Sequence, residues 1–137
     1  MVSYSDSTAD LSEHHLRGGF FEGWTAPPDP DQHLQLLRNS AHVIIARDDS
    51  GSVVGFVSAL SDGVLSAYIP LLEVLPAHRG MGIGTDLVRR LLNDLDRFYM
   101  VDVMCDPDLR PFYERLGFVT ASGAVMRNYD WRSMATR

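Results

Sequence analysis

A chain of 137 residues with 45% hydrophobic and 22% charged side chains is sized for a single domain, residues 1–137, with a real core, and its composition argues against long disorder. The net charge of -6 disfavours a nucleic-acid partner, and the longest apolar run is far short of the ~20 residues that cross a bilayer, so neither nucleic acid nor membrane is expected as a partner. All twelve basic residues are arginine, which excludes a P-loop and Schiff-base chemistry, and the lone Cys105 excludes an intramolecular disulfide or a cysteine metal cluster.

The first residues, MVSYSDSTAD, have neither a basic segment nor an apolar stretch, so no secretory signal is expected and the expected location is cytoplasmic. A brief strand is expected around Val2–Ser5. TADLSEHHLRGG reads as a helix capped by Thr8 or Asp10 and stopped by Gly18 and Gly19. FFEGWTAPPDP reads as an aromatic loop ended by prolines. DPDQHLQLLRNS reads as a second helix, with Asp29 or Asp31 as cap and Leu34, Leu36 and Leu37 as its apolar face.

Two apolar runs, Val43–Arg47 and Val53–Leu60, flank DDSGS and predict a β-hairpin. LSAYIPLLEVL predicts a third main strand. Leu87, Val88, Leu91, Leu92, Leu95 and Phe98 recur at helical spacing, which predicts an amphipathic helix over Gly84–Arg97. YMVDVMC reads as a buried strand. DPDLRPFYERLGF reads as a short helix that Asp108 can cap and Gly117 can end, and ASGAVMRNYD as a last strand or hairpin half. This order is an α/β (α+β) sheet of mixed direction, with a right-handed βαβ crossover from Leu71 to Met104 that makes its outer strands parallel.

Between a strand and a helix lies the turn Arg79-Gly80-Met81-Gly82-Ile83-Gly84. A dinucleotide fingerprint needs G-x-G-x-x-G, but counting from Gly80 or Gly82 puts Thr85 or Leu87 at the third glycine, so that reading fails on spacing. The physics of anion binding remains. The first N–H groups of a helix have no intrahelical partners, the helix dipole is positive there, glycine permits close approach, and Arg79 can add a charge-assisted hydrogen bond. A tight structural turn without a ligand is the other reading of the glycines alone.

Val74-Leu75-Pro76-x-x-Arg79-Gly80-x-Gly82-x-Gly84 resembles the acetyl-CoA signature of the GNAT superfamily of N-acetyltransferases, and Phe112-Tyr113-Glu114-Arg115-Leu116-Gly117-Phe118 resembles that family's F-Y-x-x-x-G-F helix. The resemblance covers about Val43 to Tyr129. It implies a mixed sheet of six to seven strands, splayed at the centre and flanked by helices. Residues 1–40 would be variable acceptor-side helices, and residues 41–130 the acetyl-CoA-binding core. Acetyl-CoA would lie in the splay as co-substrate. Its pyrophosphate would sit on Arg79, Gly80, Met81, Gly82, Ile83, Gly84 and Thr85, beside Phe112, and its pantetheine arm would pair with the backbone of Val74 and Leu75.

The resemblance also implies direct acetyl transfer to a primary amine of a small molecule, with protein lysines or N-termini, or a non-catalytic acyl-CoA-binding role, as alternatives. Such a transfer needs the amine to lose a proton, a donor to the carbonyl oxygen, and a proton for the departing thiolate. Tyr113 is the candidate acid, or else a core aromatic between Phe112 and Phe118. Glu73, the only charge in IPLLEVL, is the candidate base, or else a structural carboxylate. The resemblance implies that the oxyanion donor would be a main-chain N–H at Val74 or Leu75. Asp106 stands where many family members carry asparagine, and capping is its expected role. Phe20, Phe21 and Trp24 would wall an acceptor pocket in which Glu22 holds a cation, or else would plug the sheet. The five histidines show no metal spacing, and no metal is expected. A homodimer is common in the family, and the C-terminal strand with Trp131 is the candidate interface.

Overall fold

The computed structural model describes residues 1–131. Its sheet has the order β1 (Ser3–Ser5), β2 (His42–Arg47), β3 (Val53–Ser61), β4 (Ser66–Val74), β5 (Met100–Val103). The pairs from β1 to β4 are antiparallel, and β4 and β5 run parallel. The mixed sheet expected from the sequence is present, with five strands among the described residues where six or seven were expected. The missing strand is ASGAVMRNYD. Residues 119–128 form no strand and are exposed, Val119, Val125 and Met126 included. β5 is consequently a half-exposed edge strand, with Met100 and Asp102 open to solvent, rather than the buried strand expected.

The β2–β3 hairpin follows from its turn. The Asp48 carboxylate accepts hydrogen bonds from the Ser50 N–H at 2.9 Å, the Ser50 hydroxyl at 2.6 Å and the Ser52 N–H at 3.1 Å. Alternation then sorts side chains to two faces. On one face lie Ile44, Ala46, Val57, Ala59 and Ile69, under α2 (Ile83–Asp94). On the other lie Val43, Ile45, Val53 and Phe56, under α1 (Pro30–Asn39) and the loop before it. A register shift between Ala46 and Arg47 against β3 explains why Val53 and Phe56, three residues apart, share a face.

The helix α2 buries Ile83, Leu87, Val88 and Leu91, one apolar stripe at helical spacing. Gly55 lets it sit close. A Cβ there would stand 3.1 Å from the Glu73 carbonyl oxygen, 3.2 Å from Leu87 Cδ1 and 3.3 Å from Ile83 Cγ2. The helix α1 is capped by Asp29, which accepts from the Gln32 N–H at 2.8 Å while the Gln32 side chain accepts from the Asp29 N–H at 3.0 Å. The helix expected before it shrinks to one 3₁₀ turn, Glu13–Leu16, capped by Ser12 and not by Thr8 or Asp10. Its buried residues, Leu11 and Leu16, are five apart and so form no helical stripe.

Among the described residues, three buried side-chain atoms have no hydrogen-bond partner, one of them His78 Nδ1 in the turn after β4. Ser58 Oγ lies in the middle of β3, and His33 Nε2 lies on the buried side of α1. His33 is ringed by Phe20 at 5.2 Å, Phe21 at 4.9 Å and Phe56 at 4.6 Å between centroids. Burial there disfavours the imidazolium and lowers the pKa from 6.5 to about 4.

Two stability measurements check this packing. Gly55→Ala should cost about 1–3 kcal/mol in urea unfolding, because its neighbours include backbone that cannot move aside, whereas Ser58→Ala should cost close to nothing, since it removes an unpaired buried hydroxyl. His33 links stability to pH. Its neutral form contributes fully above pH 6.5, and the contribution is lost as pH falls towards about 4, because the unfolded chain takes up the proton first. The native chain should therefore lose about 3 kcal/mol more than His33→Phe between pH 7 and 4.

Candidate active site

The site begins where β4 outruns β5. The parallel pairing ends at Ile69↔Val103, but β4 continues to Val74. The next residue, Pro70, has no N–H to offer. On its other edge β4 stays paired with β3 as far as Gly55↔Val74. The Leu75 N–H donates to the Val54 carbonyl at 2.9 Å, which makes Gly55 and Val74 a non-hydrogen-bonded pair. The alternation of such a ladder turns the N–H groups of Leu72 and Val74 away from β3, towards the side where β5 has ended. The splay implied by the sequence is thus a stretch of β4 with one unpaired edge.

Leu75 was expected to share in that pairing, and it does not. Its N–H is held by Val54, and its carbonyl accepts from the His78 N–H at 2.9 Å. The open main-chain donor is at Val74, whose carbonyl accepts from Arg79 Nε at 3.0 Å.

The glycine turn follows directly. Gly80 and Gly82 have φ of +78° and +83°, and a Cβ at either would meet nothing within 4 Å. Gly82 is the N-cap of α2 and has no side chain to cap it. The turn is therefore an open stretch of main chain that begins the helix. Met81 is exposed, Ile83 is a core residue available only through its main chain, and Gly84 and Thr85 are half-buried. Phe112 lies 3.8 Å from where a Gly84 Cβ would be, so α3 (Arg110–Arg115) abuts the turn.

Tyr113, on α3, is buried between Phe112 and Phe118, with centroids at 5.0 and 5.5 Å. Burial, reinforced by the Cys105 thiol, pushes its phenol up to about 12. It also lines a cavity of about 1070 Å³, together with Tyr68, Val103, Cys105 and residues 119–127. That cavity contains neither Glu73 nor the glycine turn, and its outer wall is the irregular C-terminal segment.

Glu73 projects to the α1 face. Its Oε1 accepts from the Phe21 N–H at 2.9 Å, and Oε2 takes no hydrogen bond from the described residues. No arginine pairs with it among the described residues. Phe21 is buried, with a left-handed backbone (φ 64°), and Trp24 stands over it, half-exposed, at 5.0 Å. Glu22 is exposed. Leu75 packs against Gly18, whose Cβ would lie 2.6 Å from Leu75 Cδ1. The loop before α1 is thus fastened to the end of β4 at two points.

Neither Asp106 nor Asp108 makes the side-chain cap expected of it. A 3₁₀ turn, Pro107–Leu109, precedes α3, and the cap bond is made by the Asp106 carbonyl, which accepts from the Leu109 N–H at 2.9 Å. Trp131, expected at an interface, donates from Nε1 to the Ala26 carbonyl of its own chain at 3.0 Å. Among the described residues no helix is long and apolar enough to cross a membrane. The sequence reading passed over His33. The signal was there: it shares a helical face with Leu37, four residues on.

The fold and these motifs have relatives. A crystal structure from Deinococcus radiodurans R1, described as a candidate acetyltransferase, is 45% identical, with a TM-score of 0.91 over 94% of this chain and 90% of its own. GCN5-related N-acetyltransferase 3, chloroplastic, of Arabidopsis thaliana is 41% identical over 71 residues, 50% of this chain and 30% of that protein. Serotonin N-acetyltransferase 2, chloroplastic, of Oryza sativa subsp. japonica is 27% identical over 129 residues, 90% of this chain and 62% of that protein. The chain thus spans less than two thirds of either plant protein. The Acetyltransferase (GNAT) family model matches residues 10–118, and the chain belongs to that family.

Proposed function

We propose that the chain is an acetyl-CoA-dependent N-acetyltransferase that acts on the primary amine of a small molecule by direct attack in a ternary complex. One observation carries this reading: a main-chain edge of β4, unpaired after Ile69, runs into an open glycine turn at a helix N-terminus. An extended amide-bearing arm suits the first, and a pyrophosphate suits the second. The donor set fits, because the turn has room where side chains would stand and the contacts needed are mostly main-chain. Bound acetyl-CoA supplies the acetyl group as a thioester.

The roles follow from position. Val74 N–H is the donor to the carbonyl oxygen, being the open one of the two considered. Glu73 takes the amine proton on Oε2, while Phe21 N–H holds Oε1 and fixes the carboxylate's orientation. Tyr113 faces the departing sulfur. Its phenol at about 12 lies some 3–4 units above an ordinary thiol, so full proton transfer would be uphill by roughly 5 kcal/mol. It therefore contributes a hydrogen bond to the developing thiolate, which solvent then protonates. Glu73 lies on the α1 face and Tyr113 on α3; in this reading nitrogen enters from the Glu73 side and sulfur leaves towards Tyr113.

A small-molecule acceptor is supported by the likeness to the rice serotonin N-acetyltransferase and by the short loop of Phe21, Glu22 and Trp24 beside Glu73. Residues 1–40 form the acceptor side, and residues 41–130 hold the donor.

Incubation with acetyl-CoA and a panel of primary amines should release free thiol with at least one of them; no release with any amine would contradict the proposal. Tyr113→Phe should lower kcat by ~10²–10³-fold, with thermal unfolding monitored to exclude misfolding. Glu73→Gln should remove the acidic limb of the kcat/KM pH profile, and an unchanged limb would show that another group is the base.

A further inference from the structure

The chain folds back where β4 ends. The Leu75 carbonyl accepts from the His78 N–H at 2.9 Å, and the Pro76 carbonyl accepts from the Arg79 N–H at 3.3 Å. This 3₁₀ turn, Pro76–His78, returns Arg79 to the strand end, where its Nε donates to the Val74 carbonyl at 3.0 Å. The Val74 carbonyl and the Leu75 N–H belong to one planar peptide unit. The Leu75 N–H donates to the Val54 carbonyl at 2.9 Å, so that unit is held at both of its polar groups. The unit before it carries the open Val74 N–H, and its own carbonyl is that of Glu73, paired with Phe56 in the β3 ladder. The donor is thus fixed from both sides along the chain, and one of the bonds comes from a side chain. Arg79 is otherwise uncommitted. It is exposed, no carboxylate among the described residues forms an ion pair with it, and its Nη groups meet no acceptor among them.

We propose that Arg79 is a positioning residue for acyl transfer: it sets the direction of the Val74 N–H by clamping the Val74–Leu75 peptide unit through Nε. Its Nη groups stay free for an anion on the glycine turn, which begins at the next residue. A guanidinium can serve both, because it carries five N–H donors in a rigid fork. Arg79 itself touches no reacting atom. The inference rests on the acetyltransferase reading for the use made of the Val74 N–H; the clamp is a property of the free chain. Attracting an anion and holding the strand end are separable by substitution. Glutamine has its Nε2 where arginine has Nε, so Arg79→Gln keeps a donor for the Val74 carbonyl and removes the charge. Lysine has a methylene there, so Arg79→Lys keeps the charge and moves the donor one atom further out.

Both variants are compared with the native full chain in two ways: amide hydrogen exchange with no ligand present, and initial rates with acetyl-CoA and the best acceptor of the amine panel. Arg79→Lys should speed exchange at the Leu75 amide about tenfold, with the core amides of Val57 and Leu91 unchanged. It should also lower kcat at saturating acetyl-CoA about tenfold, while KM for acetyl-CoA moves by less than about threefold. Arg79→Gln should keep Leu75 exchange and kcat within about twofold of native and raise KM for acetyl-CoA about tenfold. A rise in KM alone in both variants, or a greater loss of kcat in Arg79→Gln than in Arg79→Lys, would make Arg79 an anion ligand only and overturn the proposal. Unchanged Leu75 exchange in Arg79→Lys would overturn it as well. The expected exchange pattern, with no thiol release from acetyl-CoA by the native chain and any amine, would uphold the clamp and overturn the acetyltransferase reading. Exchange needs no turnover, so the two failures are told apart.

Discussion

Everything about this site depends on β4 being paired along one edge and released along the other. The β3 edge holds as far as Val74, while the β5 edge ends at Ile69, next to a proline that cannot extend the ladder. A strand end left free on both sides would fray, and one paired on both sides would offer no main-chain groups. The half-paired strand is held rigidly and still presents donors. Gly55 contributes from below, because only a residue without a Cβ lets α2 seat its first turn against β3 and β4 there. The glycine turn is therefore positioned by core packing rather than by its own sequence.

The loop before α1 is the second structural element of the site, and it depends on the first. Leu75 against Gly18 and the Phe21 N–H on Glu73 fasten it to the end of β4. The non-glycine Phe21 is held with a left-handed backbone, a conformation that persists only where surroundings over-determine it. Those surroundings are the burial of its ring beside Phe56 and the hydrogen bond to Glu73. One residue thus joins the aromatic cluster to the candidate base.

Much of this was legible in the sequence, and the failures share a cause. The hairpin, β4, α2 and α3 came from strong local signals: the DDSGS turn, apolar periodicity, and glycines at fixed offsets. The mixed direction of the sheet followed from the crossover. Three local expectations failed where tertiary context decided. The expected helix before the aromatic loop collapsed to one turn because Leu11 and Leu16 do not align. The C-terminal segment made no strand and left Val119, Val125 and Met126 exposed. YMVDVMC became an edge strand because nothing covered it. At the site, sequence named Glu73, Tyr113 and the glycine turn but could not assign main-chain bonds, so it left Val74 and Leu75 equal. It missed His33 because a histidine is polar by type, although its spacing from Leu37 puts it on the buried helical face.

The central claim is that the unpaired edge of β4 and the glycine turn form one continuous binding surface for the acyl donor. Residue-resolved amide hydrogen exchange with and without coenzyme A tests it most directly. The account predicts added protection at the Leu72 and Val74 amides and across Gly80–Gly84, with the Leu75 amide, already paired to Val54, unchanged. Protection confined to residues 119–127 and β5, with none at Val74, would contradict it.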